Sequence, residues 1–454
     1  MEIVNHTNVL GWQSNFVADP TQVMVQNVVS NNKLQDVFGN RQKLQNTNHI
    51  YSHQVKPRGK ITNQKSSGRC WLFAALNVVR VAMMEKYNLK NFEFSQSYLF
   101  FWDKLERINY VLESILDAQS NDYQVDSQMI QHLLSDPLSD GGQWDMVANL
   151  INKYGLVPKS VYPESRHSSF SAGMNKILSY KVREFSKNLL SMNGNLEAKR
   201  ELKQQYLKEV HQMLLKFLGT PPTNFDWEYM EGDKYKRVNN LTPQSFYKEH
   251  VPFNVNDYYC VINDPRQNHP YNKLYTVKYL GNVVEGFKVR YLNLPIERIR
   301  ELTANTLKDN KPVWFGCDVG KQIHREQCTM DLDLLSFKQP LGTDFGLSKA
   351  ERLEYRVSLM THAMVFSGVD IEETCNAVTN DTKSSVNRWE VENSWSSRGP
   401  AGGYYMMTDK WFAEYVYEVL IHKKYLSESE TEIINQGEYM TLNPWDPMGS
   451  LACE

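Results

Sequence analysis

The segment Gln64-Lys-Ser-Ser-Gly-Arg-Cys70-Trp71 combines a thiol with features that could activate it. The apolar run from Cys70 to about Lys86 predicts a buried helix, and Ser66-Ser67-Gly68 in front of it are expected to supply its N-cap. This places the thiol at a helix N-terminus. There, unpaired backbone N–H groups and the positive end of the helix dipole favour the thiolate, the nucleophilic form of cysteine. The Gln64 amide and the Cys70 backbone N–H could both donate to an oxyanion. The segment therefore indicates covalent acyl-transfer chemistry.

A general base and a residue that orients it occur far along the chain. His362 enters one strand-like stretch, and Asn393 leaves another. An imidazole can accept the thiol proton and later protonate a leaving amine, while an asparagine oxygen accepts the other ring N–H and fixes the ring. A single histidine or cysteine is more often structural than catalytic. The hypothesis therefore depends on Cys70, His362 and Asn393 acting together.

The composition bounds what kind of protein can hold such a site. The chain has 454 residues, of which 41% are hydrophobic, and its formal net charge is only -2. It can bury a large core, and it has no overall basic field that would demand nucleic acid. Scattered cysteines predict free thiols in a reducing compartment. The start lacks a signal-like pattern and no stretch reaches about 18 apolar residues, so we expect a cytoplasmic protein without membrane contact.

Local periodicity predicts an α+β fold. Residues 174–189 and 202–217 repeat apolar positions at i, i+3 and i+4, which indicates the helices of an inserted unit. Later stretches alternate or run apolar in the manner of strands, at 312–318, 363–369, 388–395 and 402–408. Helices therefore come first, and an antiparallel sheet or barrel follows.

The predicted inserted helices carry more basic than acidic residues on their exposed positions. Examples are Lys181, Lys199, Arg200 and Lys203. A solvated helix face is the simpler interpretation, and a weak nucleic-acid-binding surface stays open as an alternative. Salt-sensitive binding by a Cys70→Ala protein would support such an added activity.

The order of these motifs resembles the papain family of cysteine peptidases. Gln64 stands six residues before a Cys-Trp pair, a His-Ala pair follows at a strand, and Asn393 opens an Asn-Ser-Trp string. The resemblance implies a two-lobe fold, with a helical lobe and an antiparallel β-barrel-like lobe. It also implies catalytic roles for Gln64, Cys70, His362 and Asn393. It places Trp395 among the substrate-binding residues and as a shield over the His–Asn hydrogen bond.

A second motif resembles the segment with which this family holds the substrate backbone. Asp-Gly141-Gly142 alone would indicate a turn, but in this company both glycines are candidate substrate-binding residues. The chain also departs from the family pattern at two positions. Ser67 stands where secreted members carry a disulfide cysteine, and Ser396 stands where papain has glycine after the Asn-Ser-Trp string.

Longer strings resemble the bleomycin hydrolase subgroup of this family, at residues 61–71, 94–103, 140–146, 271–277, 313–320 and 444–449. The resemblance implies an aminopeptidase for peptides with a free N-terminus, able to hydrolyse the bleomycin amide. It further implies a homohexameric ring whose active sites face an internal channel. The C-terminal tail is expected in the cleft, where a terminal carboxylate, exposed by loss of Glu454, meets the substrate's amino group. No metal or organic cofactor is implied.

These expectations divide the chain into an N-terminal arm (1–57) packed on a larger body, a helical lobe (58–165), a helical insertion (166–285), a β lobe (286–436) and a tail in the cleft (437–454). Two other functions remain as alternatives: another Cys-His acyl transferase, and a non-enzymatic nucleic-acid-binding ring. Transglutaminases also use cysteine and histidine, but they normally orient the histidine with aspartate. The Asn-Ser-Trp string at Asn393 speaks against that class.

Overall fold

The computed structural model describes residues 1–375 and 382–452. The α-helices in those residues are α1 (His6–Ala18), α2 (Pro20–Asn31), α3 (Leu34–Phe38), α4 (Arg41–Gln45), α5 (Cys70–Lys86), α6 (Gln96–Ser120), α7 (Gln128–Ser135), α8 (Trp144–Tyr154), α9 (Arg166–Ser169), α10 (Ala172–Ser191), α11 (Leu196–Leu218), α12 (Pro243–Ser245), α13 (Ile296–Lys308), α14 (Lys338–Leu341), α15 (Lys349–Glu354), α16 (Asp409–Tyr415) and α17 (Glu428–Gln436). The strands are β1 (His53–Gln54), β2 (Phe225–Glu231), β3 (Lys234–Leu241), β4 (Tyr258–Ile262), β5 (Lys273–Val277), β6 (Tyr291–Asn293), β7 (Val313–Cys317), β8 (Ile323–His324), β9 (Thr329–Met330), β10 (His362–Cys375), β11 (Thr382–Glu392), β12 (Tyr404–Thr408), β13 (Val416–His422) and β14 (Tyr439–Leu442).

Helix α5 is the centre of the helical lobe, and its predicted bounds are confirmed. It is buried on almost every side, against α6 and α8 on one face and β10 on the other. The expectation that serines before the helix cap it is wrong. The N-cap residue is Arg69, which makes no side-chain cap bond, because the Ser67 hydroxyl donates to the Gln64 carbonyl at 2.7 Å instead.

Trp71, the second residue of α5, ties the helical lobe to the sheet. Its indole N–H donates to the Asp140 carbonyl at 2.6 Å, and its own carbonyl accepts from the indole of Trp314 in β7 at 3.2 Å. All three groups are buried, so leaving any of these bonds unmade would cost about 1–3 kcal/mol. The start of α5 is therefore fixed against both lobes.

The large sheet runs in the order β14-β5-β6-β4-β13-β7-β10-β11-β12-β9-β8, with β1 paired to β10. The central pairs β7–β10 and β10–β11 are antiparallel, as predicted, but β4–β6, β5–β14 and β9–β12 are parallel. The register pairs His362 with Cys317 and Val365 with Glu392. It therefore brings the start of β10 beside the end of β11, where Asn393 follows.

The predicted inserted helices are confirmed as α10 and α11. The structure adds a β2–β3 hairpin to this region, and it places β4 and β5 in the main sheet. The sheet thus begins earlier in the chain than residue 285, where the insertion is predicted to end. Strand β14 likewise joins the sheet from the predicted tail. A fully buried strand such as β4 lacks the polar alternation that marks a half-exposed one, so periodicity alone could not detect it.

The N-terminal segment differs from the predicted packed arm. Helices α1 and α2 bury no residue, although they carry the apolar side chains of Leu10, Trp12 and Phe16. Contact with the body begins at Phe38, which is buried, and at the bridge from Gly39 to Leu335. Only the later part of the arm is therefore packed. None of the described helices is long and apolar enough to cross a membrane.

Candidate active site

Cys70 lies where the first turn of α5 meets the start of β10. Its side chain is almost fully buried, and the backbone N–H of Ala363 donates to its Sγ at 3.4 Å. Gly68 permits this arrangement, because a Cβ there would lie 2.8 Å from the Cβ of Asp140. The Gly68 N–H also donates to the Asp140 carboxylate at 3.1 Å. The sulfur is thus held at the positive end of the helix dipole, which favours a thiolate.

The other described thiols lie in environments that favour the neutral form. Cys260, Cys317 and Cys328 are buried and free of disulfides, as predicted. Burial raises the pKa of the Cys260 and Cys317 thiols well above the usual value, and it also raises the pKa of Cys328. These cysteines are therefore protonated at neutral pH. The side chain of Cys375 and the whole of Cys453 lie outside the described part of the chain.

His362 is the first residue of β10, and Asn393 orients its ring. The Nε2 of His362 lies 2.9 Å from the Oδ1 of Asn393. Because an amide oxygen only accepts, Nε2 carries the proton and Nδ1 is left as the proton acceptor. Trp395 packs beside the imidazole, with ring centroids 4.7 Å apart. The arrangement fixes both the tautomer and the orientation of the base.

Burial lowers the pKa of His362 to about 4; the Asn393 hydrogen bond raises it and the charge of Arg325 lowers it. The imidazole is therefore neutral near pH 7 and can accept a proton. An imidazolium at this buried position needs a negative charge next to it. Proton transfer from Cys70 would supply that charge as a thiolate, so the two groups are suited to ionise together.

Gln64 is held between the loop before α5 and the loop after β11. Its side-chain Nε2 donates to the Ser67 carbonyl at 2.7 Å, and its Oε1 accepts from the Ser394 hydroxyl at 2.6 Å. Its backbone N–H donates to the Ser394 carbonyl at 2.9 Å. An amide nitrogen carries two protons, so one N–H remains for a substrate oxyanion.

A 370 Å³ cavity gathers most of the predicted site residues. Its walls include Gln64, Cys70, Gly141, His362 and Trp395, and Asn393 lies behind His362. Gly142 does not line it: a Cβ there would lie 2.5 Å from the indole of Trp71. Gly142 thus allows Trp71 to pack closely, which differs from its predicted contact with substrate.

The C-terminal segment enters the same cavity. Leu451 lines it beside Cys70 and His362. The approach is close, since a Cβ at Gly141 would lie 2.1 Å from the Leu451 carbonyl oxygen. Two hydrogen bonds hold the segment upstream: Tyr291 Oη donates to the Met448 carbonyl at 3.0 Å, and Ser450 Oγ donates to the Met360 carbonyl at 2.8 Å. Residues 453 and 454, including the expected processing site at Glu454, lie outside the described residues.

Arg107 contributes to the site without having been predicted from the sequence. Its guanidinium is buried and paired with Asp103 at 3.2 Å. It donates to the Gly141 carbonyl at 2.7 Å and to the Ala452 carbonyl at 3.4 Å. One side chain therefore holds both the candidate substrate-binding loop and the tail. No sequence pattern connects Arg107 with Ala452, because they meet only through the fold.

Comparison with known proteins agrees with this geometry. The model of the Peptidase C1-like family matches residues 3–449. This chain belongs to the Peptidase C1-like family. The chain is 43% identical to bleomycin hydrolase of Homo sapiens over 443 residues, which cover 96% of both chains. It is 41% identical to aminopeptidase C of Listeria innocua over 442 residues, covering 97% of this chain and 96% of the relative.

A solved structure extends the agreement of this Peptidase C1-like chain to the fold. The crystal structure of Pepw from Lactobacillus rhamnosis HN001 superposes with a TM-score of 0.92 at 39% identity, and the match covers 98% of this chain and 99% of the other. The predicted family resemblance and the α+β, papain-like fold class are therefore confirmed. The chain is a cysteine peptidase.

Proposed function

We propose that this Peptidase C1-like protein is a cysteine aminopeptidase that hydrolyses N-terminal peptide and amide bonds through a thioester. The proposal rests on the position of Leu451, which lines the cavity that holds Cys70 and His362. A cleft filled on one side admits only a short N-terminal stretch of substrate. Relatives named aminopeptidase C and bleomycin hydrolase support the same activity, and they make the bleomycin amide a candidate substrate.

The proposed reaction assigns a role to Cys70, His362, Gln64, Asn393 and Trp395. His362 takes the thiol proton, and the Cys70 sulfur bonds to the substrate carbonyl carbon. The Gln64 Nε2 and the Cys70 backbone N–H donate to the resulting oxyanion. The C–N bond then breaks as His362 protonates the leaving amine. His362 next takes a proton from water, whose oxygen attacks the thioester, and the released acid leaves Cys70 as a thiol. Asn393 keeps the imidazole in place throughout, and Trp395 shields their hydrogen bond.

The tail supplies the proposed selection for a free amino group. Residues beyond Ala452 continue from a point next to Gly141, so a terminal carboxylate would lie close to the cleft. A carboxylate there pairs with the ammonium group of a peptide N-terminus and excludes longer acyl portions. Loss of Glu454, with or without Cys453, would set how far that carboxylate reaches.

We infer a homohexamer in the cytoplasm, with peptides as the substrates of its active sites. The surface of the arm supports the assembly, because α1 leaves Leu10, Trp12 and Phe16 exposed and α2 leaves Met24 and Val28 exposed in the single chain. Large exposed apolar surface marks protein–protein contacts. The absence of disulfides at Cys260, Cys317 and Cys328 suits a reducing compartment.

The nucleic-acid alternative gains no support from the lysine-bearing helices. Lys181 pairs with Glu184 and Glu209, and Arg200 and Lys203 both pair with Glu113. Carboxylates thus already neutralise much of this face. The comparisons likewise favour the aminopeptidase over a binding ring or another Cys-His acyl transferase.

One assay tests the proposed function. Purified protein is given a fluorogenic amino-acid amide in its free-amino form and in its N-acetylated form, each with and without iodoacetamide. We expect turnover of the free-amino form alone, and its loss after alkylation. Equal cleavage of both forms, or activity that resists alkylation, would contradict the proposal.

A further inference from the structure

The tail lines the catalytic cavity at Leu451, and another part of the cavity wall carries an arginine. Arg325 lines the cavity with Trp395, and its guanidinium carbon lies 4.8 Å from the centre of the Trp395 ring. No ion pair or side-chain hydrogen bond holds this guanidinium within the described residues. An arginine that lines an active site without a carboxylate partner can bind an anionic group of a ligand.

Hydrogen bonds hold the backbone of the loop that carries Arg325. The Arg325 carbonyl accepts from the Cys328 thiol at 3.7 Å and from the Tyr405 hydroxyl at 3.4 Å. Cys328 is itself buried, and a Cβ at Gly399 would lie 2.3 Å from its sulfur. The backbone of Arg325 is therefore held in place, while its side chain stays exposed at the cavity wall.

A second, larger cavity adjoins the catalytic one. Its volume is 1410 Å³, Gly320 lines both cavities, and none of the described tail residues lines the larger one. The described tail contacts Gly141, whereas Arg325 contacts Trp395. The part of the cleft next to Arg325 is therefore the part left for the leaving fragment.

The basic side chains around Gly320 differ in how closely they pair with carboxylates. Lys43, Lys338 and Arg352 line the larger cavity, and each pairs with a carboxylate. Lys321, at the junction, lies at the long distance of 3.9 Å from Asp318. Asp318 is the acid that faces the catalytic cavity; it accepts from Ser358 at 2.8 Å, and burial raises its pKa. Arg325 is thus the basic residue of the catalytic cavity that has no carboxylate partner among the described residues.

We infer that Arg325 binds a carboxylate in the leaving fragment close to the scissile bond. The inference rests on the proposed aminopeptidase function and adds a substrate class to it. The carboxylate can come from the C-terminus of a dipeptide or from an acidic side chain next to the cleaved bond. A guanidinium donates two parallel N–H groups, which suits either source. Arg325 is then a specificity-determining residue on the leaving side.

Matched substrate pairs test the inference. The first pair is Ala-Ala and Ala-Ala-NH2, which differ only in the terminal carboxylate. The second is Ala-Glu-NH2 and Ala-Gln-NH2, which differ only in the side-chain charge. The readout is the ratio of kcat/KM within each pair, measured by the initial rate at which the intact substrate disappears. We expect the acidic member of at least one pair to be favoured about tenfold, a typical gain for one charge-assisted bond at an open site.

Variants assign the preference to one side chain. R325Q should bring the favoured ratio close to one, R325K should retain part of it, and K216Q, which removes an exposed positive charge on α11, should leave it unchanged. A preference in the first pair alone assigns the carboxylate to the peptide terminus, and a preference in the second alone assigns it to the side chain. Equal rates within both pairs, or a ratio that survives R325Q, would overturn the inference.

A neutral substrate separates this test from that of the proposed function. Alanyl-aminomethylcoumarin has no carboxylate, so its hydrolysis by the wild-type protein reports on aminopeptidase activity alone. Its turnover together with equal rates in both dipeptide pairs would overturn the role of Arg325 and leave the proposed function standing. Failure to hydrolyse any of these substrates would instead count against the aminopeptidase itself, and the inference would fall with it.

Discussion

Apolar side chains are buried near the C-terminus of the chain and exposed near its N-terminus. Near the C-terminus, Met448 and Leu451 are buried, and hydrogen bonds from Tyr291 and Arg107 hold the backbone around them. Near the N-terminus, α1 and α2 bury nothing. The difference teaches that one end of the chain lines the cavity that holds Cys70, whereas the other end leaves apolar side chains exposed in the single chain.

Removing the thiol of Cys70 should have the largest effect on activity. Cys70→Ala should lower kcat by at least about 10⁴-fold, because the covalent route disappears. Cys260→Ala is the matched control, since it removes a buried thiol distant from His362 in the sheet register. Turnover retained in Cys70→Ala, with alkylation of another cysteine inactivating the wild type, would refute the assignment.

The oxyanion donor provides the next largest effect. Gln64→Ala should lower kcat by about 10²–10³-fold, because its side-chain N–H acts only as charge develops on the substrate oxygen. Asn393→Ala should cost less, since Trp395 still packs against the imidazole. Steady-state kinetics distinguish the roles: a change in KM alone for Gln64→Ala would show that it binds substrate without stabilising the transition state.

A leucine at each terminus sharpens the comparison directly. Leu451→Ala should weaken docking of the tail by about 2–3 kcal/mol, because the side chain is almost completely buried. Leu10→Ala should change the free energy of unfolding by less than about 0.5 kcal/mol, since Leu10 is exposed in the single chain.

Hydrogen exchange at residues 448–452 measures the first change, and urea unfolding at low protein concentration measures the second. Similar exchange in Leu451→Ala and wild type would mean that the cavity does not hold the tail. For Leu10→Ala we expect weaker assembly, which sedimentation would detect. A large loss of folding stability at Leu10 would instead mean that α1 packs on its own chain.

Lowering the pH should reduce the stability of the folded protein, because His362 is buried in the cleft. Burial lowers the pKa of His362 to about 4, below the ordinary value near 6.5. Between these pH values the unfolded chain binds a proton that the folded chain does not, so stability present above pH 6.5 is lost as pH falls towards 4. The loss attributable to His362 is at most about 3 kcal/mol. The difference in unfolding free energy between wild type and His362→Gln across this pH range measures it, and a difference independent of pH would show that the imidazole titrates normally.

The sequence predicted those parts of the site that short segments encode. Helix α5 follows from its apolar run, and Gln64 and Cys70 lie on one loop, so their spacing is a local property. The order of the strands could not be predicted from the sequence, because β4 and β5 belong to a sheet whose other strands lie far along the chain. A buried strand also lacks the alternation of polar and apolar residues that would mark it. Capping by the serines before α5 failed because Ser67 has a nearer acceptor.

Residues that act across the fold were the ones missed. Arg107 reaches Gly141 and Ala452 from the middle of α6, and no pattern in α6 identifies it. Arg325 lies in the loop between β8 and β9, and it contacts Trp395, which is distant in the sequence. The contact depends on the pairing of β9 with β12. The sequence predicts an N-terminal arm packed on the body, but α1 and α2 bury no residue, because scattered apolar positions do not show what would cover them.

Deleting residues 446–454 tests the central claim most directly, namely that the tail makes an open cleft into an aminopeptidase. The ratio of kcat/KM for a free-amino amide over its N-acetylated form should fall by about 100-fold, since both the blocking segment and the partner of the ammonium group are lost. Iodoacetamide should still modify Cys70, and deletion of residues 1–32 should leave the ratio unchanged. A truncated protein that remains a strict aminopeptidase would contradict the claim and require another anchor for the amino group.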